Sequence, residues 1–273
     1  MAARRFPDGF VWGTATAAHQ VEGGNWNNDW WMWEHDPASP CQQPSGDACD
    51  HWHRYPEDIG LLAGLGFNAY RFSLEWSRIE PEDGEFSRVA LEHYRRMCTT
   101  CREHGLEPIV TFHHFTTPRW LAARGGWANP ETADRFARFC ARAAAHLGDV
   151  MGRACTLNEP NIVATFGYLY GLFPPGKRDV DLRRRVNDVF IDAHRKAVAA
   201  IPPARAARRS AWPSRCPTTR RWPAARRSAT ATGATWRTSS WKRRGATTSW
   251  ACSATRARAS APRGSSARRT ARA

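Results

Sequence analysis

The last quarter of the chain lacks most of the residue types from which a protein interior is built. Residues 203–273 contain no Leu, Ile, Val, Phe, Tyr or Met, and no Asp, Glu, Asn, Gln or His. Ordering a chain costs roughly 1–2 kcal/mol per residue, which apolar burial must offset. The five Trp residues present cannot supply a core alone. We therefore expect residues 203–273 to be a disordered tail rich in Arg, Ala, Ser and Thr, following a domain over residues 1–202.

Two explanations account for this tail. The first is a basic arm that binds nucleic acid through its arginines. The second starts from the genetic code, because the missing types are those with A or U at the second codon base, and Lys242 is the single exception. A GC-rich gene read out of frame produces this bias, since its third codon position is then read as the second. The joint absence of so many types favours a shift of reading frame near Pro202.

The excess of positive charge also lies in the tail. The chain carries a net charge of +15, but 18 of its 40 Lys and Arg residues fall within residues 203–273. Residues 1–202 hold the other 22 and all 25 acidic residues, the balance of an ordinary soluble protein. We therefore predict no specific nucleic-acid partner.

Membrane and export signals are also missing. The chain has no apolar run near the roughly 20 residues of a membrane span, and the opening MAARRFPDGF has no apolar region of a secretory signal. The eight Cys residues show no disulfide-scaffold spacing, which suits a reducing compartment. We expect a cytoplasmic protein with no membrane partner.

Sites for metals and nucleotides find little support. The segment DACDHWH offers Asp47, Cys49, Asp50, His51 and His53, but it has neither the CxxC pairs nor the HExxH helix of common zinc sites. There is no Walker A motif and no GxGxxG. The single CxxC, at residues 98–101, falls within a helical pattern and not at a strand-to-helix turn. We predict no metal and no cofactor.

Strand-like and helix-like segments alternate through the first 202 residues. Such alternation predicts parallel strands joined by crossover helices. Apolar and aromatic runs predict the strands, while apolar residues at helical spacing predict the helices. The strands are expected at 10–13, 68–76, 107–114 and 152–160, and the helices at 87–105, 129–148 (with Asn129 as cap) and about 181–201.

Polar residues recur near the ends of these predicted strands, where parallel α/β barrels carry their catalytic groups. Gln20 follows the first, Arg71 lies in the second, His113 and His114 close the third, and Asn158 and Glu159 close the fourth. Amides, a guanidinium and imidazoles suit a sugar's hydroxyls, and Trp side chains suit its C–H surface; WNNDWWMWEH (26–35) is a candidate loop, and Trp120 a further contact. Taken singly, a strand-end His or a loop Trp is more often packing, and Asn158 next to Glu159 could simply start a helix.

Several motifs together resemble a known family. FPDGFVWGTATAAHQVEG (6–23), CDHWHRYPEDIGLLAGLGFNAYRFSLEWSRI (49–79), VTFHHFTTPRWL (110–121) and CTLNEPN (155–161) are similar to the N-terminal portion of family 1 glycoside hydrolases, the group of β-glucosidases and β-galactosidases. GYLYGLFPPG (167–176) matches more loosely. The resemblance runs from residue 6 to about 200 and implies a (β/α)8 barrel of the TIM type, of which only about the first four βα units are present.

The resemblance also implies roles for single residues. Glu159 would be the general acid/base, and Asn158 would bond the 2-hydroxyl of a β-linked sugar. Gln20 and His114 would hold the far hydroxyls, and Arg71 would orient the nucleophilic carboxylate. Phe115 departs from the Trp that many members carry after the His.

The second carboxylate of a retaining glycosidase is harder to find. Its nucleophile should lie about 5–5.5 Å from the acid/base; the family places it in a TENG-like motif, which this sequence lacks. Glu159 is the last Glu and Asp192 the last Asp, while spacing alone leaves Glu22 and Glu75 open. We therefore expect the ancestral β-glucosidase-like reaction to be lost or nearly lost. The alternatives are a non-catalytic sugar-binding protein and a nucleic-acid-binding protein that uses the basic tail.

Overall fold

The computed structural model describes residues 6–202, so the predicted tail at 203–273 lies outside the described residues. Residues 6–10 group apart from residues 11–202 and form a turn, in which the Phe10 N–H donates to the Pro7 carbonyl at 3.1 Å. The description below concerns residues 11–202.

Four parallel strands form one sheet, as the alternating pattern predicts. They are β1 (Gly13–Ala15), β2 (Ala69–Ser73), β3 (Glu107–His113) and β4 (Arg153–Leu157), and they lie side by side in chain order. The first strand begins later than predicted. A Cβ at Gly13 would lie 2.6 Å from the Ala69 carbonyl oxygen, so the pairing of β1 with β2 requires a glycine there.

Helices connect and flank the strands. In the described residues they are α1 (Ala18–Val21), α2 (Asp29–Glu34), α3 (His51–Gly64), α4 (Trp76–Ile79), α5 (Arg88–Glu103), α6 (Arg119–Ala123), α7 (Thr132–Leu147), α8 (Pro160–Tyr168) and α9 (Val180–Ala200), with a 3₁₀ turn at Gly126–Ala128. Polar side chains define several starts: Ser87 accepts from the Ala90 N–H before α5, and Asp179 accepts from two N–H groups of α9.

Other boundaries also differ from the sequence prediction. The segment 26–35 is not a loop throughout, because Asn28 accepts from the Trp31 N–H at 2.9 Å and starts α2. Strand β2 ends early, because the Glu75 side chain accepts from the Ser77 N–H and starts α4. Helix α7 begins at Thr132; Asn129 instead closes a preceding turn by accepting from the Glu131 N–H at 3.0 Å.

The hydrophobic core lies between one face of the sheet and the longer helices. Its centre is aromatic: Trp76 stacks on Phe139 with ring centroids 5.0 Å apart, and Trp127 stacks on Phe190 of α9 at 4.1 Å. Helices α7 and α9 pack together beside it. None of the helices within residues 6–202 combines the length and apolarity that crossing a membrane requires.

Candidate active site at the strand ends

Strand register brings Arg71 of β2 towards the end of β4. Arg71 lies opposite Ile109 of β3, and its Nη1 donates to Thr111 Oγ1 at 3.3 Å and to Asn158 Oδ1 at 3.0 Å. Asn158 is buried and follows β4 directly, with its backbone N–H bonded to the His113 carbonyl at 2.9 Å. Residues 87 positions apart in the chain thus meet on one face of the sheet.

The Asn158 amide also fixes the state of His114. Because Asn158 Oδ1 accepts from Arg71, its Nδ2 faces His114 Nε2 at 3.1 Å and must donate to it. The imidazole then carries its proton on Nδ1, a buried atom with no partner within residues 6–202. Burial, and after it the positive charge of Arg71, lower the pKa of His114 to about 4. The site therefore presents a neutral imidazole with one uncommitted N–H donor.

Glu159 stands beside this group in an unusual backbone conformation. Its φ of 46° lies in the left-handed region, and it immediately precedes α8, whose first residue is Pro160. Phe115, directly after His114, has φ 71°. Non-glycine residues rarely adopt such angles, and they concentrate at functional sites. Glu159 is half-buried, and its carboxylate has no hydrogen-bond partner in the described part of the chain.

The other predicted contacts lie elsewhere or make no contact with this group. Gln20 is exposed on the short α1, and no hydrogen bond joins its side chain to the described residues. Trp120 is 8% exposed, donates its indole N–H to the Glu80 carbonyl at 2.9 Å and packs edge-on against Trp76. Within the described residues Trp120 thus contacts the surrounding packing and not the Arg71–Asn158–His114 group, and its role as a sugar contact stays a prediction.

His113, the first of the two adjacent histidines, belongs to the aromatic core. Its Nε2 accepts from the Trp127 indole at 3.3 Å, and its ring lies against Phe136 and Phe190. Burial lowers its pKa to about 3, so it is a neutral packing residue.

Glu75 and Glu22, the carboxylates that spacing left open, are both engaged in the scaffold. Glu75 is fully buried and accepts from Asn25 Nδ2 at 2.7 Å and from the hydroxyls of Ser77 (2.8 Å) and Thr116 (3.0 Å). Sequence reasoning missed this anchor, because Glu is not among the usual N-cap residues Ser, Thr, Asp and Asn.

Glu22 is 2% exposed and accepts from Arg78 Nε at 3.0 Å and from the Tyr94 hydroxyl at 2.8 Å. Burial raises the pKa of Glu22 to about 7 in spite of Arg78. Both oxygens of each carboxylate thus accept hydrogen bonds from the scaffold.

The histidines of the 47–53 segment have local partners. His51 contacts Asp58 at 2.6 Å and the Tyr70 hydroxyl at 3.1 Å, and His53 contacts Asp50 at 2.6 Å. Within residues 6–202 no three His, Cys, Asp or Glu side chains form a group that could hold a metal ion.

The CxxC cysteines lie on the buried side of α5. Cys98 and Cys101 are both inaccessible to water, and burial raises the pKa of each thiol, that of Cys101 to about 12. Thiols of this kind are inert, because the thiolate is the reactive form.

A parallel α/β sheet with polar groups gathered where its strands end is the arrangement of barrel enzymes. The model of the family described as Glycosyl hydrolase family 1 matches residues 2–210, and the chain belongs to this family. Beta-glucosidase A of Thermotoga maritima is 41% identical over 205 residues, which cover 72% of this chain and 46% of that protein. Coniferin beta-glucosidase of Pinus contorta is 40% identical over 181 residues, 62% of this chain and 35% of that protein.

Solved structures agree with this assignment. Beta-glucosidase from Thermotoga maritima in complex with castanospermine superposes with a TM-score of 0.71 at 39% identity, covering 74% of this chain and 48% of that one. Beta-glycosidase BGL167 is 48% identical with a TM-score of 0.66, covering 73% and 54%. The predicted fold class is confirmed: the four βα units match the N-terminal part of family 1 TIM barrels. The chain spans about half the length of the relatives it matches.

Proposed function

We propose that residues 6–202 carry the acid/base half of the active site of a retaining β-glucosidase-like enzyme, with Glu159 as proton donor. The observation that carries this proposal is the position of Glu159: a half-buried carboxyl group without a partner in residues 6–202, in a strained conformation at the end of β4, beside the Arg71–Asn158–His114 chain. The relatives named β-glucosidases support a β-glucoside or a related β-glycoside as substrate.

The neighbouring groups suit a sugar bound against Glu159. We assign Asn158 to the 2-hydroxyl, and His114 and Gln20 to the far hydroxyls, where the Nδ1–H of His114 is available as donor. Arg71 uses only Nη1 for Thr111 and Asn158. Its other N–H groups bond nothing within residues 6–202, which suits the proposed task of orienting a carboxylate nucleophile.

The chemistry assigned to this half is proton transfer. Glu159 protonates the glycosidic oxygen as a nucleophilic carboxylate attacks the anomeric carbon, and it then takes a proton from the water that releases the sugar. We propose further that the nucleophile is not among these 273 residues, because Glu159 is the last Glu, Asp192 lies on helix α9, and Glu22 and Glu75 are engaged. We propose that a polypeptide of these 273 residues alone does not turn over β-glycosides.

The role of Glu159 can be tested in a fusion of residues 1–202 to the C-terminal part of the Thermotoga maritima enzyme. Glu159→Ala should lower kcat/KM on an alkyl β-glucoside about 10²–10⁴-fold, the usual share of general acid catalysis. The kcat/KM on a dinitrophenyl glucoside, whose leaving group needs no proton, should be largely retained, while its kcat should fall because the water that releases the sugar has lost its base. Added azide should restore turnover and give a glycosyl azide. The control is Glu103→Ala, an exposed Glu at the end of α5.

Equal losses of kcat/KM on the alkyl and the dinitrophenyl glucoside would exclude Glu159 as proton donor. The second part of the proposal is tested on the 273-residue chain itself with an aryl β-glucoside. Turnover should not exceed that of its Glu159→Gln variant, and a clear excess over that variant would reveal a nucleophile that we have overlooked.

A further inference from the structure

The sheet is open at both sides within the described residues. β1 and β4 are its outermost strands, and in residues 6–202 each pairs with a single neighbour, β2 and β3 respectively. The outer edge of a strand presents N–H and C=O groups to which another strand can bond. A closed barrel of parallel strands has eight strands. The four strands therefore leave two edges at which further strands can add.

Helix α3 turns apolar side chains away from the helix next to it. The helices that flank the sheet pack in the order α3, α5, α7 and α9, so α3 and α9 are the outer two of these four. Gly60 of α3 faces α5, since a Cβ there would lie 3.6 Å from the ring of His104 at the end of α5. Leu61 and Leu65 lie roughly 100–140° further round the helix axis and are 63% and 65% exposed.

Helix α9 has a similar arrangement at the other side of the sheet. Lys196 Nζ contacts Asp134 of α7 at 2.6 Å, which marks the side of α9 that faces α7. Ile191 and Val198 lie roughly 140–160° round the axis from Lys196 and are 49% and 45% exposed. Seven residues separate them, so they form one stripe. Both outer helices therefore present apolar side chains where the next helix of a barrel would pack.

The two outer sides also differ in charge. On α3, Asp58 lies two turns before Leu65 and contacts His51, but no Lys or Arg pairs with it in the described part of the chain. On α9, the exposed Arg195 lies one turn after Ile191 and has no acidic partner there either. Opposite charges across an interface favour association, and like charges oppose it. The α3 side therefore suits the α9 side of another molecule better than it suits a second α3 side.

A second copy of the chain complements both edges. Because all strands are parallel, β4 of one copy can add beside β1 of its partner, and a two-fold axis repeats this contact at the other side. Two sets of four strands give eight, the number in the TIM barrels whose N-terminal part the four βα units match. Residues 203–273 are poorer candidates for covering the apolar stripes, because they contain no Leu, Ile or Val and hold 18 Lys and Arg residues.

We propose that polypeptides of these 273 residues associate as a two-fold dimer that closes one eight-stranded barrel. The α9 side of each copy packs on the α3 side of its partner, which buries Ile191 and Val198 against Leu61 and Leu65. The proposal does not depend on the role of Glu159, because it concerns strand edges and helix faces only.

Sedimentation equilibrium of the full chain tests the proposal, and we expect dimers to predominate at about 10 μM and above. Leu61→Lys and Ile191→Glu each place a charge in both contacts of the dimer and should raise the dissociation constant about tenfold or more. A mixture of the two variants should restore the dimer, because Lys and Glu then face each other in one contact and the other contact is wild type. Val89→Lys, at an exposed apolar site of α5, is the control and should leave association unchanged.

Several results would overturn the proposal. A monomer at every concentration up to about 100 μM would show that solvent or residues 203–273 cover the strand edges. Polymers whose mass keeps growing with concentration would show that the edges add without closing a ring. Wild-type association of both single variants, or failure of their mixture to associate, would place the contact elsewhere. Urea unfolding midpoints are measured for each variant, and if one single variant proves unstable, the other decides.

Discussion

The same strands form both faces of the sheet, but the side chains on the two faces differ in burial and polarity. On the face towards the helices, Tyr70, Phe72 and Val110 are at most 2% exposed and belong to one continuous apolar core. On the other face, Arg71 and Ile109 are only partly buried. Arg71 of β2 donates a hydrogen bond to Asn158, which follows β4. Because side chains alternate along a strand, β2 places Tyr70 and Phe72 in the core and Arg71 on the opposite face.

Two adjacent histidines at the end of β3 have different surroundings. His113 accepts from Trp127 in the aromatic core, whereas His114 meets Asn158 near Arg71. Burial lowers the pKa of both, and the Nδ1 atom of each ring is buried without a partner within residues 6–202. The two neutral rings thus differ in the groups that surround them and not in their protonation.

The largest expected effect comes from opening the core face. Phe112→Ala removes a fully buried ring that lies edge-on to Phe139, and should lower the free energy of unfolding by about 3–5 kcal/mol. The matched control, Ile109→Ala on the other face of β3, should cost less than about half as much because Ile109 is already partly exposed. Urea unfolding measures both, and equal losses would erase the distinction between the faces.

An effect of intermediate size is expected on the free energy of unfolding when the pH is lowered. A His with a lowered folded-state pKa binds fewer protons folded than unfolded, so its contribution is present above pH 6.5 and is lost as the pH falls towards the folded value. Glu22 acts with the opposite sign: its raised pKa gives a contribution that is present below pH 4.5 and lost as the pH rises to about 7.

Variants separate these contributions. His113→Leu should flatten the loss of stability between pH 6.5 and about 4, even if the variant is less stable at every pH. The unfolding free energy is measured by urea titration across this range for wild type and variant. Parallel curves would show that His113 is not the group that takes up the proton.

The smallest expected effect is a change in the pKa of His114 when its charged neighbour is removed. Arg71→Met removes the positive charge next to His114, so the pKa of His114 should rise towards its ordinary value while burial keeps it below. NMR titration of the imidazole signals follows this change. Arg153→Met, the same substitution at a residue of β4 paired with Glu107, is the control and should leave His114 unchanged. A shift in both variants would point to a general loosening of the sheet.

The sequence was informative where a signal is local. The period of apolar residues predicted α5, α7 and α9 within three residues, and a buried run predicted β3. It failed where one side chain ends an element: Glu75 turns the end of a predicted strand into α4, and Asn28 starts α2 inside an aromatic run that has no clear period. Such caps depend on a single hydrogen bond, which periodicity does not register.

The residues predicted for the candidate site also differ in where the structure places them. Arg71, His114 and Asn158 were placed at equivalent strand ends by sequence, and they do meet. Trp120 was placed there too, yet it lies in the packing because its indole N–H has a backbone partner at Glu80. A Trp in a sugar site and a Trp in a core look alike until the surrounding helices are known.

Glu75 has a consequence for anyone who wishes to exchange parts among relatives. Its single carboxylate receives donors from Asn25, Ser77 and Thr116, which belong to the connections after three successive strands. A connection grafted from a relative without its donor would leave a buried carboxyl oxygen short of a hydrogen-bond partner. We therefore expect these three connections to be interchangeable only as a set.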